Sequence, residues 1–461
     1  MLQPLQRAMA LLQQGQYDEA CGLCQQLLAH HPDHFAARHL LGVALLRQGR
    51  LDAAEQALQQ ACRTQAPTRQ LAQAWNNLAL CRQHRHKPEA ALAAIDEALG
   101  RERGEAAFWL NRGNILEVLQ DWPQMRAALQ RALTLAPGLD EARIGLAVAC
   151  RQLGRLSDAR EQLETVIEQD YDWLREYILL LLLQQDREQA LALCDQVPDS
   201  DSLQGVADYV AEAGDPALAT PLYRRVLERD PDNACAAHML DALTQQPSER
   251  APRAYVEALY DQHAGAFEQR LVGRLGYRAP ELMATALAEV PPVRLSPALD
   301  LGCGSGLLGQ ALQTRFPAID IDGIDLSAGM LEQARHKGCY RRLWHGDAAE
   351  ILQRLPARHY RLIASTDMLI YLGDLAPLFA AVARCLHPEG LFAFTVETGA
   401  GDGHQLHGSG RFRHGADYLE RLAGEQGWWI RSLEAFPLRR ENAGTIEGLM
   451  LILERLPAGP V

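Results

Sequence analysis

A glycine-rich turn is the part of this sequence best suited to bind a small ligand. It reads DLGCGSG over residues 300–306 and follows a short apolar run at 297–301. Glycines at this spacing let the chain turn tightly after a strand and approach a ligand, with the N-terminus of the next helix behind it. Dinucleotide sites use glycines in the same way, but Asp300 directly before them repels a pyrophosphate. The acidic residue instead suits a ligand with a cationic amino-acid end.

Two further acidic residues follow the next two apolar runs. Asp325, in GIDLS at 323–327, lies where a carboxylate can accept hydrogen bonds from both ribose hydroxyls. Asp347, in GDA at 346–348, follows the run at 342–345 and lies where an adenine amino group needs an acceptor. Together with the glycine turn, these positions predict a site for an adenosine-containing ligand.

The order and spacing of DLGCGSG, GIDLSAGMLEQA and GDA resemble the class I methyltransferase family over about residues 252–461. The resemblance implies S-adenosylmethionine as the cofactor, with the glycine turn against its methionine part and Asp300 ordering that turn. Asp325 then holds the ribose, and Leu326 and Met330 flank the adenine. The predicted cofactor-binding residues are Asp300, Gly302, Cys303, Gly304, Gly306, Asp325, Leu326, Met330, Asp347, Ala348, Asp367, Tyr260 and Tyr277.

Short apolar runs alternate with helical stretches from about residue 296, which is typical of a doubly wound parallel sheet. We predict a Rossmann-like, seven-stranded α/β core at 296–461, with a helical lead-in at 253–295 and a linker at 246–252. The lead-in contains Tyr260, His263 and Tyr277. Each of these side chains either contacts the cofactor or simply packs in the fold. The lead-in residues 260–264 and 275–280 resemble those of bacterial methyltransferases that carry tetratricopeptide repeats.

Three residues are candidates for catalysis on the acceptor side. Asp367 ends the predicted fourth strand, where open α/β sheets bind ligands, and it either serves the site or caps a helix. Tyr371 follows one helical turn later. His414 ends a glycine-rich stretch at 399–414, predicted to be a mobile loop, and histidine suits proton removal near neutral pH. His404 and His407 in the same stretch have no evident third ligand, so no metal is expected.

The sequence STDM at 365–368 stands where amino-group methyltransferases of adenine and glutamine carry Asn-Pro-Pro-Tyr. The Asn-Pro-Pro-Tyr motif is therefore missing from this sequence, which counts against adenine and glutamine as acceptors.

The front half repeats itself about every 34 residues. Small residues, glycines between helices and prolines after them recur at fixed positions, for example at Gly15, Ala20 and Pro32. The pattern resembles tetratricopeptide (TPR) repeats over residues 1–245, an all-α superhelix of about seven helical hairpins. Such an array implies a groove that binds a protein or peptide. A purely structural or dimerising array is the alternative, which leaves a homo-oligomer open.

Charge and composition restrict the classes of binding partner and the cell compartment that the sequence favours. Residues 252–461 hold 21 Lys and Arg against 24 Asp and Glu, so the front half carries −10 of the total −13. An acidic array argues against nucleic acid. The longest apolar run, 177–183, is too short to span a membrane, and the N-terminus lacks signal-peptide features. Ten scattered cysteines indicate a cytoplasmic protein, and Cys21 and Cys24 are expected to pack inside a helix.

Three functions fit these features. The first is methyl transfer to a protein or peptide that the repeats recruit. The second is methyl transfer to a small metabolite, with the repeats used for dimerisation or scaffolding. The third is a non-catalytic scaffold that binds the cofactor, which the intact motifs disfavour.

Overall fold

The protein is described from a computed structural model, which covers residues 2–261, 276–290, 294–441 and 444–455. The chain divides into two compact units, residues 1–196 and residues 197–461.

The first unit is built from helical hairpins. Gly42 and Gly113 show why small residues recur, since a Cβ on either would come within 2.6 Å of Leu58 or 2.5 Å of Leu129 on the following helix. Cys21 is also buried, in α2, as predicted. The helices are α1 (Leu2–Gln13), α2 (Tyr17–His30), α3 (Phe35–Arg47), α4 (Leu51–Cys62), α5 (Thr68–His84), α6 (Pro88–Arg101), α7 (Ala106–Val118), α8 (Trp122–Leu135), α9 (Asp140–Gln152), α10 (Leu156–Glu164), α11 (Tyr171–Leu183) and α12 (Arg187–Cys194).

The second unit begins with helices that the sequence assigns to the repeats. These are α13 (Ser200–Ala213), a 3-10 turn (Pro216–Ala219), α14 (Thr220–Arg229) and α15 (Ala234–Thr244), followed by α16 (Arg253–Asp261) and α17 (Ala279–Glu289). His238 on α15 donates from Nε2 to the carbonyl oxygen of Gly410 at 2.9 Å. The division into units therefore falls before the last predicted repeat, because that repeat packs on the α/β core. The predicted repeat limit at residue 245 stays a prediction from the sequence pattern.

The α/β core contains a nine-stranded sheet among its described residues, in the order β3-β2-β1-β4-β5-β7-β6, with β9 antiparallel to β5 and to β8. The first five strands are parallel. The strands are β1 (Ala298–Leu301), β2 (Ile321–Asp325), β3 (Arg342–His345), β4 (Tyr360–Ser365), β5 (Leu386–Thr398), β6 (His404–Leu406), β7 (Phe412–His414), β8 (Trp428–Glu441) and β9 (Gly444–Arg455). The helices are α18 (Leu307–Arg315), α19 (Ala328–Lys337), α20 (Ala348–Arg354), α21 (Ala376–Cys385) and α22 (Ala416–Glu425).

One feature of the predicted core is wrong, namely the mobile loop at 399–414. The seven predicted strands are present, but the glycine-rich stretch at 399–414 adds a hairpin, β6 and β7, and is not an open loop. β7 pairs in parallel with the end of β5, so the hairpin extends the sheet. A strand pairing set by distant residues leaves no periodic signal in so short a stretch.

Both faces of the sheet are covered. Along β5, Phe392 and Phe394 pack into the cluster that contains α21, whereas Leu391 and Ala393 pack on the other face with α17 and α18. Alternate residues of a strand point to opposite faces, so β5 separates two apolar layers. This arrangement holds the carboxyl ends of β1, β2 and β4 rigidly beside one another. Among the described residues, every helix is too short or too polar to cross a membrane.

Candidate active site

The glycine turn after β1 adopts a conformation that other residues resist. Gly302, Gly304 and Gly306 have φ values of 67°, 52° and 93°. A Cβ at Gly302 would also stand 2.6 Å from the side chain of Met368, which follows β4. Gly306 is the N-cap of α18, so backbone amides line the turn. The glycines are thus required by both backbone conformation and close packing.

Asp325 ties this turn to the end of β2. Its Oδ2 accepts the backbone N–H of Gly304 at 2.7 Å, and its Oδ1 accepts the N–H of Ser327 at 2.8 Å. Burial raises the pKa of Asp325, and the hydrogen bonds from the two amides oppose that rise. Asp325 therefore organises two loops at the position predicted to hold the ribose.

Asp300 lies beneath the glycine turn, where it meets a residue that sequence reasoning missed. The hydroxyl of Tyr340 donates to Asp300 Oδ2 at 2.7 Å and accepts the N–H of Gly309 at 3.2 Å. Burial raises the pKa of Asp300 to about 7, although the Tyr340 hydrogen bond opposes the rise. The only sequence signal for Tyr340 is the glycines at 309 and 323, where a Cβ would come within 2.4 Å and 3.1 Å of its ring.

Asp347 begins α20, and both of its carboxylate oxygens are engaged. Oδ1 accepts the N–H groups of Ala349 and Glu350 at 2.9 and 3.3 Å. Oδ2 accepts from Arg250 Nη2 at 2.6 Å, an ion pair that sequence reasoning missed because Arg250 lies in the predicted linker. Burial alone would raise the pKa of Asp347, but Arg250 and the two amides outweigh it and the pKa is lowered.

The two apolar residues predicted to flank the adenine differ in position. Leu326 lines the cavity and packs against the apolar cluster that contains Tyr371. Met330 is fully buried in the first turn of α19, where its N–H is capped by Ser327 Oγ. Met330 therefore supports α19 from within, which corrects the expectation that its side chain forms a cavity wall.

Asp367 follows β4 with φ 59°, an uncommon conformation for a residue other than glycine. Its N–H donates to Thr395 Oγ1 at 3.1 Å, and its Oδ2 accepts from Arg439 Nη1 at 3.2 Å. Its buried Oδ1 has no hydrogen-bond partner among the residues that the structure describes. Burial raises the pKa of Asp367, although Arg439 opposes the rise. This is a strained, cavity-lining carboxylate and not a helix cap.

Arg439 is the centre of a charged cluster that sequence reasoning missed. It pairs with Asp367 and also with Glu397 on β5, and all three are largely buried. Arg413 Nε lies 3.5 Å from Glu397, and Arg411 Nη1 lies 3.8 Å from it. Arg411, Arg413 and Arg439 all line the cavity, so three guanidinium groups lie at this end of it. The cluster joins β4, β5, β7 and β8, so no local motif could reveal it.

The tyrosines of the lead-in meet the predicted acceptor side. The hydroxyls of Tyr260 and Tyr371 lie 3.0 Å apart, and their rings meet edge to face. Tyr277 is buried beside Thr366 and Asp367 and lines the same cavity. His263 lies outside the described residues.

His414 does not occupy an accessible position, which contradicts its prediction as a general base. It is fully buried on β7, and its Nε2 donates to the carbonyl oxygen of Gly373 at 3.0 Å. Burial lowers the pKa of His414 to about 4, although the Gly373 hydrogen bond opposes the change. His404 and His407, by contrast, line the cavity. In the described part of the chain, no three His, Cys, Asp or Glu residues are grouped as metal ligands.

One cavity of about 1410 Å3 in the second unit is lined by the glycine turn at 302–305, the carboxylates of Asp325, Asp347 and Asp367, the arginine Arg439 and the tyrosines Tyr260, Tyr277 and Tyr371. One end of the cavity is formed by the glycine turn with Asp325 and Asp347. Arg439 and Asp367 of the charged cluster also line the cavity. Helices α13 to α16 contribute further walls. The volume exceeds that of an ordinary single-ligand pocket, about 300–1000 Å3. It is therefore large enough for a cofactor and an acceptor together.

Comparison with known families identifies the module that carries this cavity. Residues 298–390 match the family model described as a methyltransferase domain. Residues 5–69, 78–140 and 120–181 match models of the tetratricopeptide repeat. The chain carries tetratricopeptide repeats followed in sequence by a methyltransferase domain. The predicted fold class is confirmed.

Relatives of the methyltransferase domain include two malonyl-[acyl-carrier protein] O-methyltransferases. The enzyme of Legionella pneumophila is 29% identical over 145 residues, which are 31% of this chain and 49% of that protein. The enzyme of Geobacter sulfurreducens is 34% identical over 138 residues, 29% of this chain and 50% of that protein. Human methyltransferase-like protein 27 is 41% identical over 87 residues, 18% of this chain and 34% of that protein. The chain thus spans about half the length, or less, of these relatives.

The methyltransferase domain fits the cofactor that its family implies. S-adenosylmethionine carries cationic sulfonium and ammonium groups, and Asp325, Asp347 and Asp367 all line the cavity. Two polar atoms in this lining, Ser305 Oγ and Asp367 Oδ1, are buried without a hydrogen-bond partner in the described residues. Buried polar atoms without partners are costly, so a polar ligand that reaches them is favoured. The individual cofactor contacts stay predictions.

Proposed function

We propose that this protein is an S-adenosylmethionine-dependent methyltransferase. The observation that carries the proposal is the convergence of Gly302, Asp325, Asp347 and Asp367 on one cavity of the methyltransferase domain. The cofactor supplies an electrophilic methyl group when it is bound. The glycine turn lets the backbone approach the methionine part, and Asp325 and Asp347 define the nucleoside end.

The protein's own residues contribute orientation and exclusion of water. Asp367 follows β4 and Arg439 lies on β8, and their burial strengthens the electrostatic interaction between them. Tyr260, Tyr277 and Tyr371 bring bulk to the same cavity and leave less room for water. Positioning of two reactants in a closed site accounts for much of the rate in such reactions.

For the acceptor, we propose a protein or peptide that the repeats recruit. Tetratricopeptide repeats commonly mediate protein–protein interaction, and here they lie in the same chain as the methyltransferase domain. The acidic front half, with −10 of the total charge of −13, is compatible with a basic partner.

A second candidate is a small carboxylic acid, or a carboxylate on a carrier, methylated at oxygen. The observation that favours it is the presence of three guanidinium groups, those of Arg411, Arg413 and Arg439, in the lining of the cavity. Guanidinium groups recognise carboxylates well. A carboxylate is already ionised at neutral pH and needs no base, which agrees with the inaccessibility of His414. Relatives named malonyl-[acyl-carrier protein] O-methyltransferases support the same class.

Two measurements on the full chain test these proposals. Calorimetric titration with S-adenosylhomocysteine tests the cofactor, and a protein that binds no adenosyl ligand is not this enzyme. Incubation with methyl-labelled S-adenosylmethionine and the protein and small-molecule fractions of a lysate tests the acceptor.

Label retained by protein and stable to mild alkali supports a recruited protein acceptor. Label that mild alkali releases as methanol, whether from the small-molecule fraction or from a carrier, supports a carboxylic acid. A heat-inactivated chain is the control for non-enzymatic labelling.

A further inference from the structure

The predicted linker is a built part of the site and not a simple tether. Residues 249–251 lie antiparallel to residues 371–373, with a bridge between Arg250 and Leu372. The carbonyl oxygen of Glu249 accepts the N–H of Gly373 at 2.7 Å, and the N–H of Ala251 donates to Tyr371 O at 2.8 Å. The backbone on both sides of Arg250 is therefore fixed to the segment that follows β4.

The fixed backbone directs the Arg250 side chain to Asp347. The guanidinium nitrogen Nη2 lies 2.6 Å from Asp347 Oδ2. The Asp347 side chain is only 10% exposed, whereas Arg250 is 51% exposed, so the guanidinium forms the solvent side of the pair. Because α20 holds the other carboxylate oxygen through two amides, the carboxylate is clamped from both sides.

We propose that Arg250 is a positioning residue of the cofactor site, which orients Asp347 to accept the amino group of the adenine ring. The inference rests on the proposed function, since it requires an adenosyl cofactor. Each carboxylate oxygen has two lone-pair directions, so Oδ2 can accept from Arg250 and from an amino group together. Arg250 and Asp347 both line the cavity, as this geometry requires.

The proposal has a consequence for selectivity. An adenine base offers an amino donor to Asp347, whereas hypoxanthine presents a carbonyl oxygen at the same position, which a carboxylate repels. A well-oriented Asp347 therefore discriminates between the two bases. Loss of Arg250 reduces that discrimination as well as the affinity. If Arg250 had a purely structural role, its loss would lower the affinity for both ligands equally.

The test uses calorimetric titration of the full chain with S-adenosylhomocysteine and with S-inosylhomocysteine. Arg250→Ala is expected to weaken binding of the adenosyl ligand about tenfold, the loss of one charge-assisted contact, and to bring the two affinities closer. Arg250→Lys, which keeps a charged donor, is expected to restore part of the selectivity. Asp347→Asn is expected to lose selectivity, and adding Arg250→Ala to it is expected to change little more.

Arg335→Ala is the matched control. It removes the same charge, but Arg335 pairs with Glu332 on its own helix, α19, and is not among the residues that line the cavity. It is expected to bind both ligands within about twofold of the parent chain, because exposed pairs contribute little. A thermal melt of each variant verifies folding.

Three results overturn the inference. The first is an Arg250→Ala chain, or an Arg250→Lys chain should the alanine variant not fold, with unchanged affinity and selectivity. The second is a loss of affinity in Arg250→Ala that is equal for the two ligands, and the third is an equal loss in Arg335→Ala. If the parent chain binds neither ligand, the proposed function itself fails and this inference fails with it. Binding by the parent chain together with unchanged Arg250 variants refutes the positioning role alone.

Discussion

Arg439 and Asp367 lie 72 positions apart in the chain, yet Nη1 of Arg439 donates to Oδ2 of Asp367 at 3.2 Å. The same guanidinium also pairs with Glu397. Their side chains are 3%, 14% and 1% exposed for Arg439, Asp367 and Glu397, so each charge depends on the others for solvation. The charged end of the cavity is therefore one cooperative unit.

We expect Arg439→Ala to lower the free energy of unfolding by about 3–5 kcal/mol, because it removes the nearest counter-ion of two buried carboxylates, Asp367 and Glu397. Urea unfolding at pH 7.5 measures the loss. Arg431→Ala on the same strand is the control, since its pair with Glu454 is partly exposed and is expected to cost about 0–1 kcal/mol. Equal losses in the two variants would show that the buried cluster has no special importance.

We expect Asp325→Ala to weaken S-adenosylhomocysteine binding by about tenfold or more, because it removes the predicted ribose acceptor and the hydrogen bonds that order Gly304 and Ser327. Calorimetric titration is the measurement. Asp320→Ala, an exposed carboxylate just before β2, is expected to bind like the parent chain. Unchanged affinity in Asp325→Ala would remove Asp325 from the ribose site.

We expect Gly302→Ala to cost more than about 2 kcal/mol of stability, because it combines a left-handed φ with a clash against Met368. Gly304→Ala meets no neighbouring atom and carries the backbone strain alone, so it is expected to cost less. Thermal unfolding compares them. Met368→Gly removes both the Cβ and the Cγ that an alanine at position 302 would meet. Gly302→Ala should therefore cost less stability in a Met368→Gly chain than in the parent chain, and an equal cost would mean that the clash is not responsible.

We expect His414 to make the protein less stable in mild acid. The folded pKa of about 4 lies below the value of about 6.5 for an unfolded histidine. Between these values the unfolded chain binds more protons, so the contribution of neutral His414 is complete above about pH 6.5 and is lost as the pH falls toward 4. The full loss is about 3 kcal/mol.

His414→Gln removes this titration and should flatten the fall in melting temperature between pH 7.5 and 5. His407→Gln, at an exposed position of the same hairpin, is the control and should keep the slope of the parent chain. Identical slopes in the parent chain and His414→Gln would contradict the assignment.

The cofactor end of the cavity was largely predictable from the sequence. Gly302, Asp325 and Asp347 are set by short motifs that each follow a strand, and parallel strands bring their carboxyl ends to one edge of the sheet. The acceptor end was not predictable. The glycine-rich stretch was predicted to be mobile because glycines suggest loops, yet it pairs as strands and buries His414.

The sequence by itself determined the two kinds of module, the repeats and the α/β core, and the acidic residues expected around an adenosyl cofactor. Periodicity and local spacing encode these, since each motif acts within one strand, turn and helix. Only the tertiary structure decided which distant residues complete the cavity. Tyr340 reaches Asp300 from 40 positions away, and Arg250 reaches Asp347 from 97 positions away. Such contacts depend on how strands and linker pack, and no local pattern of residues records them.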